Sequence, residues 1–202
     1  MLADTIRTAL EEIVGPRYVH AGPAQRIAYS YDGTFQQRPP DLAVSPRTTE
    51  EVARVLALAN EHGIPVVPRG AASGLAGGTI PLHGGIVLNL ARMNTIREIS
   101  PTDGIAVVEP GVVTATLQAE AERLGLFYPP DPASLSQSTL GGNVSTNAGG
   151  PRCLKYGATK DYVRGLTVVL ADGRVLRTGG RVLKQSTGYQ LTQLFVGSEG
   201  TL

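Results

Sequence analysis

The sequence predicts a globular chain of mixed helices and strands, and three observations carry that prediction. Hydrophobic residues make up 42% of the 202 residues and charged residues 17%, a balance that supports a packed core. Apolar residues recur at helical spacing in three segments, with short β-type apolar runs between them. The 25 glycines and 14 prolines exceed the usual composition and follow no Gly-X-Y period, so they belong to loops.

In chain order, Leu2, Ile6, Leu10 and Ile13 form the stripe of an amphipathic helix stopped by Gly15-Pro16. Arg26 to Pro40 is polar and aromatic and reads as a loop or arm. Leu42-Ala43-Val44 is a short strand. Thr48-Thr49-Glu50-Glu51 starts a helix with acids in its first turn, Val52, Val55, Leu56 and Ala59 are its apolar face, and Gly63 ends it. Ile64–Val67 closes a strand–helix–strand unit. Further strands fall at Ile86–Leu90, Ile96–Ile99 and Ile105–Val108. A helix runs from Val113 to Leu124 before Gly125, and Val163–Leu170 with Val175–Leu176 flank Asp172-Gly173 as a hairpin. Tyr128 to Gly157 carries almost no periodicity. A segment of that length without regular structure is a candidate ligand-wrapping loop; a surface meander is the alternative.

Several function classes drop out. The formal net charge is +1, so no broad cationic surface for nucleic acid is implied. A single cysteine, Cys153, excludes an internal disulfide and any multi-cysteine metal site. The N-terminus lacks the basic-then-apolar order of a signal peptide, and no apolar run reaches the length of a membrane span. A soluble, cytoplasmic protein is expected, any membrane association coming through partners. Neither the P-loop pattern nor Gly-x-Gly-x-x-Gly occurs, Gly-x-Ser-x-Gly is missing, and the three histidines, His20, His62 and His83, lie far apart, so no metal site is expected.

What remains is a strand running into Pro68, Arg69, Gly70, Ala71, Ala72, Ser73, Gly74, Leu75, Ala76, Gly77 and Gly78. Small residues let backbone N–H groups approach an anion, with Ser73 as a hydroxyl donor and Arg69 as a charge or a structural fork. A nest for a pyrophosphate and a close-packed turn fit this loop equally well. The second loop favours the ligand. Pro129, Pro130, Asp131 and Pro132 form a rigid extended entry, followed by Ser136, Ser138, Thr139, Gly141, Gly142, Asn143, Ser145, Thr146, Asn147, Gly149 and Gly150. Short hydroxyl and amide side chains beside glycines suit hydrogen bonding to a flat, polar ligand. Two such loops suggest one extended ligand held from both sides.

These motifs, together with Lys155-Tyr156-Gly157, Asp161-Tyr162-Val163 and the run from Gly197 to Leu202, resemble the FAD-linked oxidases. More narrowly, the chain is similar to the glycolate oxidase FAD subunit and the D-lactate and 2-hydroxyglutarate dehydrogenases, which have a vanillyl-alcohol-oxidase type of FAD-binding domain. The resemblance runs from about Tyr29 to Leu202. It implies an α+β fold of two α+β subdomains with FAD between them. Residues 1–40 would then be a helix and arm, and residues 41–202 the FAD-binding domain, in subdomains of about 41–100 and 101–202. By this resemblance Pro68 to Gly78 would wrap the pyrophosphate. Pro130, Asp131, Pro132, Ser138, Thr139, Gly142, Asn143 and Thr146 would line the path of the isoalloxazine, ribityl and phosphate groups. Gly157, Asp161 and Val163 would lie along the cofactor, the Val163 backbone near the adenine. Ser73 stands about where covalent members carry a histidine, which implies non-covalent FAD; Cys153 reads as a structural or incidental thiol.

The resemblance further implies that a C-terminal strand and a substrate or cap domain lie outside these residues, with the metal ligands and the base. No catalytic residue is therefore named: His83 reads as a solvated turn residue, His62 as favouring a helix C-terminus, and His20 has no context. The function implied is the FAD-binding part of an enzyme oxidising a 2-hydroxy acid, glycolate or D-lactate in type, by hydride transfer to flavin N5. An electron acceptor or partner subunits would complete it. The alternative is a non-catalytic FAD-binding subunit of a glycolate oxidase-like complex. A UDP-sugar reductase of the same fold fits Pro130-Asp131-Pro132 and Thr139–Gly150 less well.

Overall fold

The computed structural model describes residues 2–202. Two compact units are distinguished, one made of the residues up to Met93 together with Val169–Val175, the other of Asn94–Val168 with Leu176–Leu202.

In the first unit, α1 (Asp4–Val14) buries Ile6, Leu10 and Val14, one residue per turn on one face. Gly15 ends it at φ +88°, a conformation that favours glycine, and its N–H donates to Glu11 O at 2.9 Å. The edge strand β1 (Val19–His20) is followed by α2 (Pro23–Ala28), with Pro23 at the first helical position. Strand β2 (Leu42–Val44) is buried at all three residues. Helix α3 (Thr49–Glu61) is capped by Thr48, whose hydroxyl accepts from Glu51 N at 3.2 Å, while the Glu51 carboxylate accepts from Arg47 N at 2.7 Å. Its face of Val52, Val55 and Ala59 is buried. Strands β3 (Val66–Arg69) and β4 (Ile86–Asn89) complete a four-stranded sheet of order β1-β2-β4-β3. β2, β4 and β3 run parallel and β1 antiparallel. The continuous apolar runs of β2 and β4 are those of strands covered on both faces. Their core is shared with α1 and α3.

In the second unit, β5 (Ile96–Ser100) and β6 (Ile105–Val108) form a hairpin with an irregularity between Ile96 and Glu98. Helix α4 (Thr114–Arg123) follows, and Val112, Leu117 and Leu140 form a small core with Ile96, Ile99, Val108 and Tyr128 packed against it. The segment expected to lack periodicity contains two short helices, α5 (Leu140–Thr146) and α6 (Cys153–Tyr156). Strands β7 (Gly165–Val169) and β8 (Val175–Gly179) form the expected hairpin, and α7 (Leu191–Phe195) comes last.

The expected arm is helical up to Ala28, because Pro23 and the Gln25 side chain, which accepts from Gly22 N at 3.0 Å, start a turn that the apolar pattern does not register. Helix α5 was hidden for a different reason. Gly141 and Gly142 are poor helix formers, yet a Cβ at 141 would stand 2.6 Å from Pro110 Cβ. Tertiary packing overrides propensity there. The Gly173 turn follows the same logic: at φ +84°, a Cβ would meet Ala53 O on α3 at 2.6 Å.

Candidate functional site

The first candidate loop leaves the carboxyl end of β3, the end at which ligands bind in parallel α/β sheets. From Ala71 to Gly78 its residues are exposed or half-buried, and Leu75 is exposed. Ala72 holds a φ of +53° and Gly77 one of +75°. A left-handed alanine costs about 1–2 kcal/mol, and such outliers cluster at binding sites. A Cβ built at Gly74 meets nothing within 4 Å, so the protein itself does not require glycine there.

Arg69, at the loop's base, is buried at 8% exposure. Its Nη1 donates to the Tyr31 carbonyl at 2.7 Å, and its guanidinium stands 5.8 Å from the Tyr29 ring centre and 6.0 Å from that of Tyr31. Burial lowers its pKa, against the electrostatic influence of Tyr31, Tyr29 and Asp32. The side chain thus acts as a structural fork, one of the two roles the sequence allows. Pro68 and Ser73 are half-buried, and Gly70 follows directly from Arg69.

In the second unit the side chains of the second loop are largely engaged with one another. Pro130 and Pro132 are buried, and Gln118 on α4 donates to Tyr128 O at 3.0 Å and Pro130 O at 2.8 Å. Asp131 accepts from Arg152 N at 3.1 Å and pairs with Arg152 Nε at 3.3 Å. A Cβ at Gly150 would run into the Asp131 carbonyl. The loop is therefore tied end to end by Asp131, Gly150 and Arg152.

Beneath α5 lies a buried cluster. Thr114 Oγ1 donates to Ser138 O at 3.0 Å, accepts from Asn143 Nδ2 at 2.7 Å, and lies 2.9 Å from Ser138 Oγ. Ser138 is 5% exposed and Asn143 3%. Thr139 caps α5 by accepting from Gly142 N at 3.3 Å, and Thr146 Oγ1 donates to Gly142 O at 3.1 Å. Asn147 ends the helix in the left-handed region at φ +49°. Asp161 accepts from Ala158 N at 2.8 Å, and its carboxylate fills the space a Gly157 side chain would need. Val163 is half-buried. Burial pushes the Tyr128 phenol up to about 12, with the nearby Thr159 side chain acting in the opposite direction.

Side chains expected to face a ligand at Ser138 and Asn143 thus point into the protein, and what these segments offer is backbone held in shape. Sequence reasoning missed Thr114 and Gln118, which lie outside every motif; a polar residue on the inward stripe of α4 was the available signal. Cys153 Sγ accepts from Gly150 N at 3.0 Å, a structural contact. His83 is exposed, and His62 is the C-cap of α3. Among the described residues no group of three or more metal-ligating side chains converges, and no helix is long and apolar enough to cross a membrane.

Comparison with known proteins places this geometry. A family model described as an FAD binding domain matches residues 40–179. The chain is 49% identical over 203 residues to the glycolate oxidase subunit GlcD of Bacillus subtilis (strain 168), covering 100% of this chain and 43% of that protein. It is 42% identical over 191 residues to a D-lactate dehydrogenase of Anaerostipes hadrus, covering 94% of this chain and 40% of that protein. A solved structure of alkyldihydroxyacetonephosphate synthase superposes with a TM-score of 0.87 at 24% identity, over 100% of this chain and 42% of that one, a likeness of fold. The chain thus spans about two fifths of the length of the curated relatives it matches. With its α+β architecture, its glycine-rich loop after β3 and the family match over residues 40–179, the chain belongs to the FAD-binding domains of the vanillyl-alcohol-oxidase type found in FAD-linked oxidoreductases, and FAD is its cofactor.

Proposed function

We propose that the chain is the FAD-holding part of an oxidoreductase acting on a 2-hydroxy acid, glycolate or D-lactate in type. The observation that carries the FAD-holding role is the exposed loop after β3, with a left-handed Ala72 and a Gly74 that meets no protein atom within 4 Å, while the substrate class rests on the similarity to a glycolate oxidase subunit and a D-lactate dehydrogenase. A loop that keeps small residues where the protein does not need them leaves room for a ligand. The residues present fit a dinucleotide: Gly70 to Gly78 supply backbone N–H groups for the pyrophosphate. Pro130 to Pro132, Ser138, Thr139, Gly142, Asn143 and Thr146 supply a shaped backbone for the rest of the cofactor, with Gly157, Asp161 and Val163 along it.

The chemistry supplied by bound FAD would be a hydride acceptor at N5 for the α-carbon hydrogen, with the hydroxyl proton leaving to a base, so that 2-oxo acid and reduced flavin result. The chain's own residues bind and orient. Arg69 braces the base of the first loop through the Tyr31 carbonyl. Thr114 and Gln118 fix the second loop from beneath. Gly74 and Gly77 keep side chains out of the phosphate path. Ser73, a hydroxyl where covalent members have histidine, supports non-covalent binding. The similarity to a glycolate oxidase subunit supports partner subunits or an electron acceptor in the assembled protein, and it keeps the second reading, an FAD-binding subunit without catalysis of its own.

Purified protein tests these readings. FAD that stays with the native protein, is released on denaturation, and bleaches with glycolate or D-lactate supports the enzyme reading. FAD-loaded protein that neither acid bleaches rules out catalysis by these residues on their own. A colourless chain that excess FAD cannot reconstitute overturns both.

A further inference from the structure

We propose that residues 30–38 form a strap that holds the glycine-rich loop in its ligand-receptive shape, with Gly33 as its clasp and Asp32 as a positioning residue. The proposal rests on the reading of that loop as FAD-binding. It adds an element that lies before residues 40–179, the stretch matched by the family model.

The strap meets the loop along its length. At the clasp, Gly33 N donates to Gly74 O at 3.2 Å. The approach is backbone on backbone: a Cβ at Gly33 would stand 2.8 Å from Gly74 O and 3.3 Å from Ser73 O. At the base, Arg69 Nη1 donates to Tyr31 O at 2.7 Å. Further along, Gln36 Oε1 lies 3.9 Å from where a Gly77 Cβ would be.

No hydrophobic core orders the strap. Phe35 is fully exposed and Tyr31 half-exposed. Its shape comes from hydrogen bonds. Ser30, fully buried, donates from Oγ to Ile27 O at 2.7 Å and accepts from Gln37 Nε2 at 2.9 Å. Arg38 N donates to Ser30 O at 2.8 Å, and Tyr31 bridges Gln37. At the turn, Asp32 Oδ1 accepts from both Thr34 N at 2.8 Å and Thr34 Oγ1 at 2.7 Å, an Asx turn that sets the bend presenting Gly33.

Asp32 makes the idea decidable by sign. By charge alone a carboxylate beside a pyrophosphate loop weakens anion binding, so its removal would tighten FAD. As a shaping residue it has the opposite effect, since losing its acceptor oxygen frees the bend and lets the loop spread over conformations that do not bind.

The test uses the full chain with three substitutions, Asp32→Ala, Asp32→Asn and Gly33→Ala, and two readouts. One is FAD affinity by flavin fluorescence; the other is amide hydrogen exchange of residues 70–78 without FAD. The strap predicts that Asp32→Ala and Gly33→Ala weaken FAD by about fivefold or more. Both speed exchange across 70–78 by about tenfold while α1 and α3 exchange as in the parent. Asp32→Asn keeps the acceptor without the charge and stays with the parent or binds slightly tighter. Should Gly33→Ala fail to fold, the Asp32 pair decides.

Three results overturn the strap: Asp32→Ala binding FAD as well as or better than the parent, Asp32→Asn as weak as Asp32→Ala, or faster loop exchange with unchanged FAD affinity. A parent chain that binds no FAD overturns the proposed function and the strap's role with it. A parent that binds and variants that bind equally overturn the strap alone.

Discussion

Gly141 and Pro110 pack with no room for a side chain between them: a Cβ at 141 would lie 2.6 Å from Pro110 Cβ and 3.0 Å from Pro110 O, and Gly141 N donates to that same carbonyl at 2.8 Å. Helix propensity favours alanine over glycine by about 1 kcal/mol, while overpacking costs about 1–3 kcal/mol. Because the obstructing atoms include backbone, the second effect wins. Gly141→Ala is expected to destabilise the chain by up to about 2 kcal/mol in urea unfolding, the net of those two effects. A variant as stable as the parent would show that the packing seen here yields.

Gly74 is the contrasting case. With nothing within 4 Å of its would-be Cβ, Gly74→Val should leave the unfolding free energy of the FAD-free chain within about 0.5 kcal/mol of the parent, as surface changes usually do. FAD affinity should nevertheless fall by about tenfold or more, because the branched side chain fills the space the phosphates need. Equal affinity in parent and variant would mean that this loop is not where the pyrophosphate sits.

The two glycines also show what was legible in the sequence and what was not. Helices α1, α3 and α4 and the β7/β8 hairpin follow from apolar periodicity, caps and the Asp172-Gly173 turn, all local signals. Helix α5 does not, because Gly141 and Gly142 are there for contact with Pro110 and with the Thr139 cap, and a close approach leaves no periodic trace. The site divides in the same way. The glycine-rich loop after β3 is conspicuous in composition, whereas Thr114 and Gln118 look like ordinary polar residues on α4 until folding sets them beneath the second loop. Asn143 and Ser138 read as ligand donors because their chemistry suits that role equally well; only burial at 3% and 5% exposure reveals that they bond to Thr114.

That cluster predicts a cost for losing a single oxygen. Thr114→Val keeps volume and shape but deprives Asn143 Nδ2 of its acceptor, while Ser138 O loses one of two donors and keeps the backbone N–H of residue 114. Leaving buried polar groups unpaired costs about 1–3 kcal/mol, so a loss in that range is expected by chemical denaturation. FAD affinity should weaken in parallel, through the second loop. Valine matching threonine in both measurements would mean that the cluster relaxes onto other partners.

The last expectation concerns acid. His20 is partly buried on β1, its Nε2 3.2 Å from Ser45 Oγ and its ring stacked on Tyr29 at 5.5 Å. Asn89 Nδ2 donates to both Ser45 Oγ and Tyr29 OH, and the Arg69 guanidinium stands 5.8 Å from the centre of the Tyr29 ring. Burial holds the His20 pKa below the usual histidine value, and no carboxylate among the described residues pairs with the ring to oppose that. A base whose pKa is depressed on folding takes up its proton first in the unfolded chain. Its contribution to stability is therefore full above about pH 6.5, the ordinary histidine value, and declines as pH falls towards the lower folded value. Unfolding followed from about pH 7.5 to pH 5.5 should show stability decreasing across that window, and His20→Gln, which cannot titrate, should flatten the decrease. A slope that survives the substitution unchanged would place the proton uptake elsewhere in the chain.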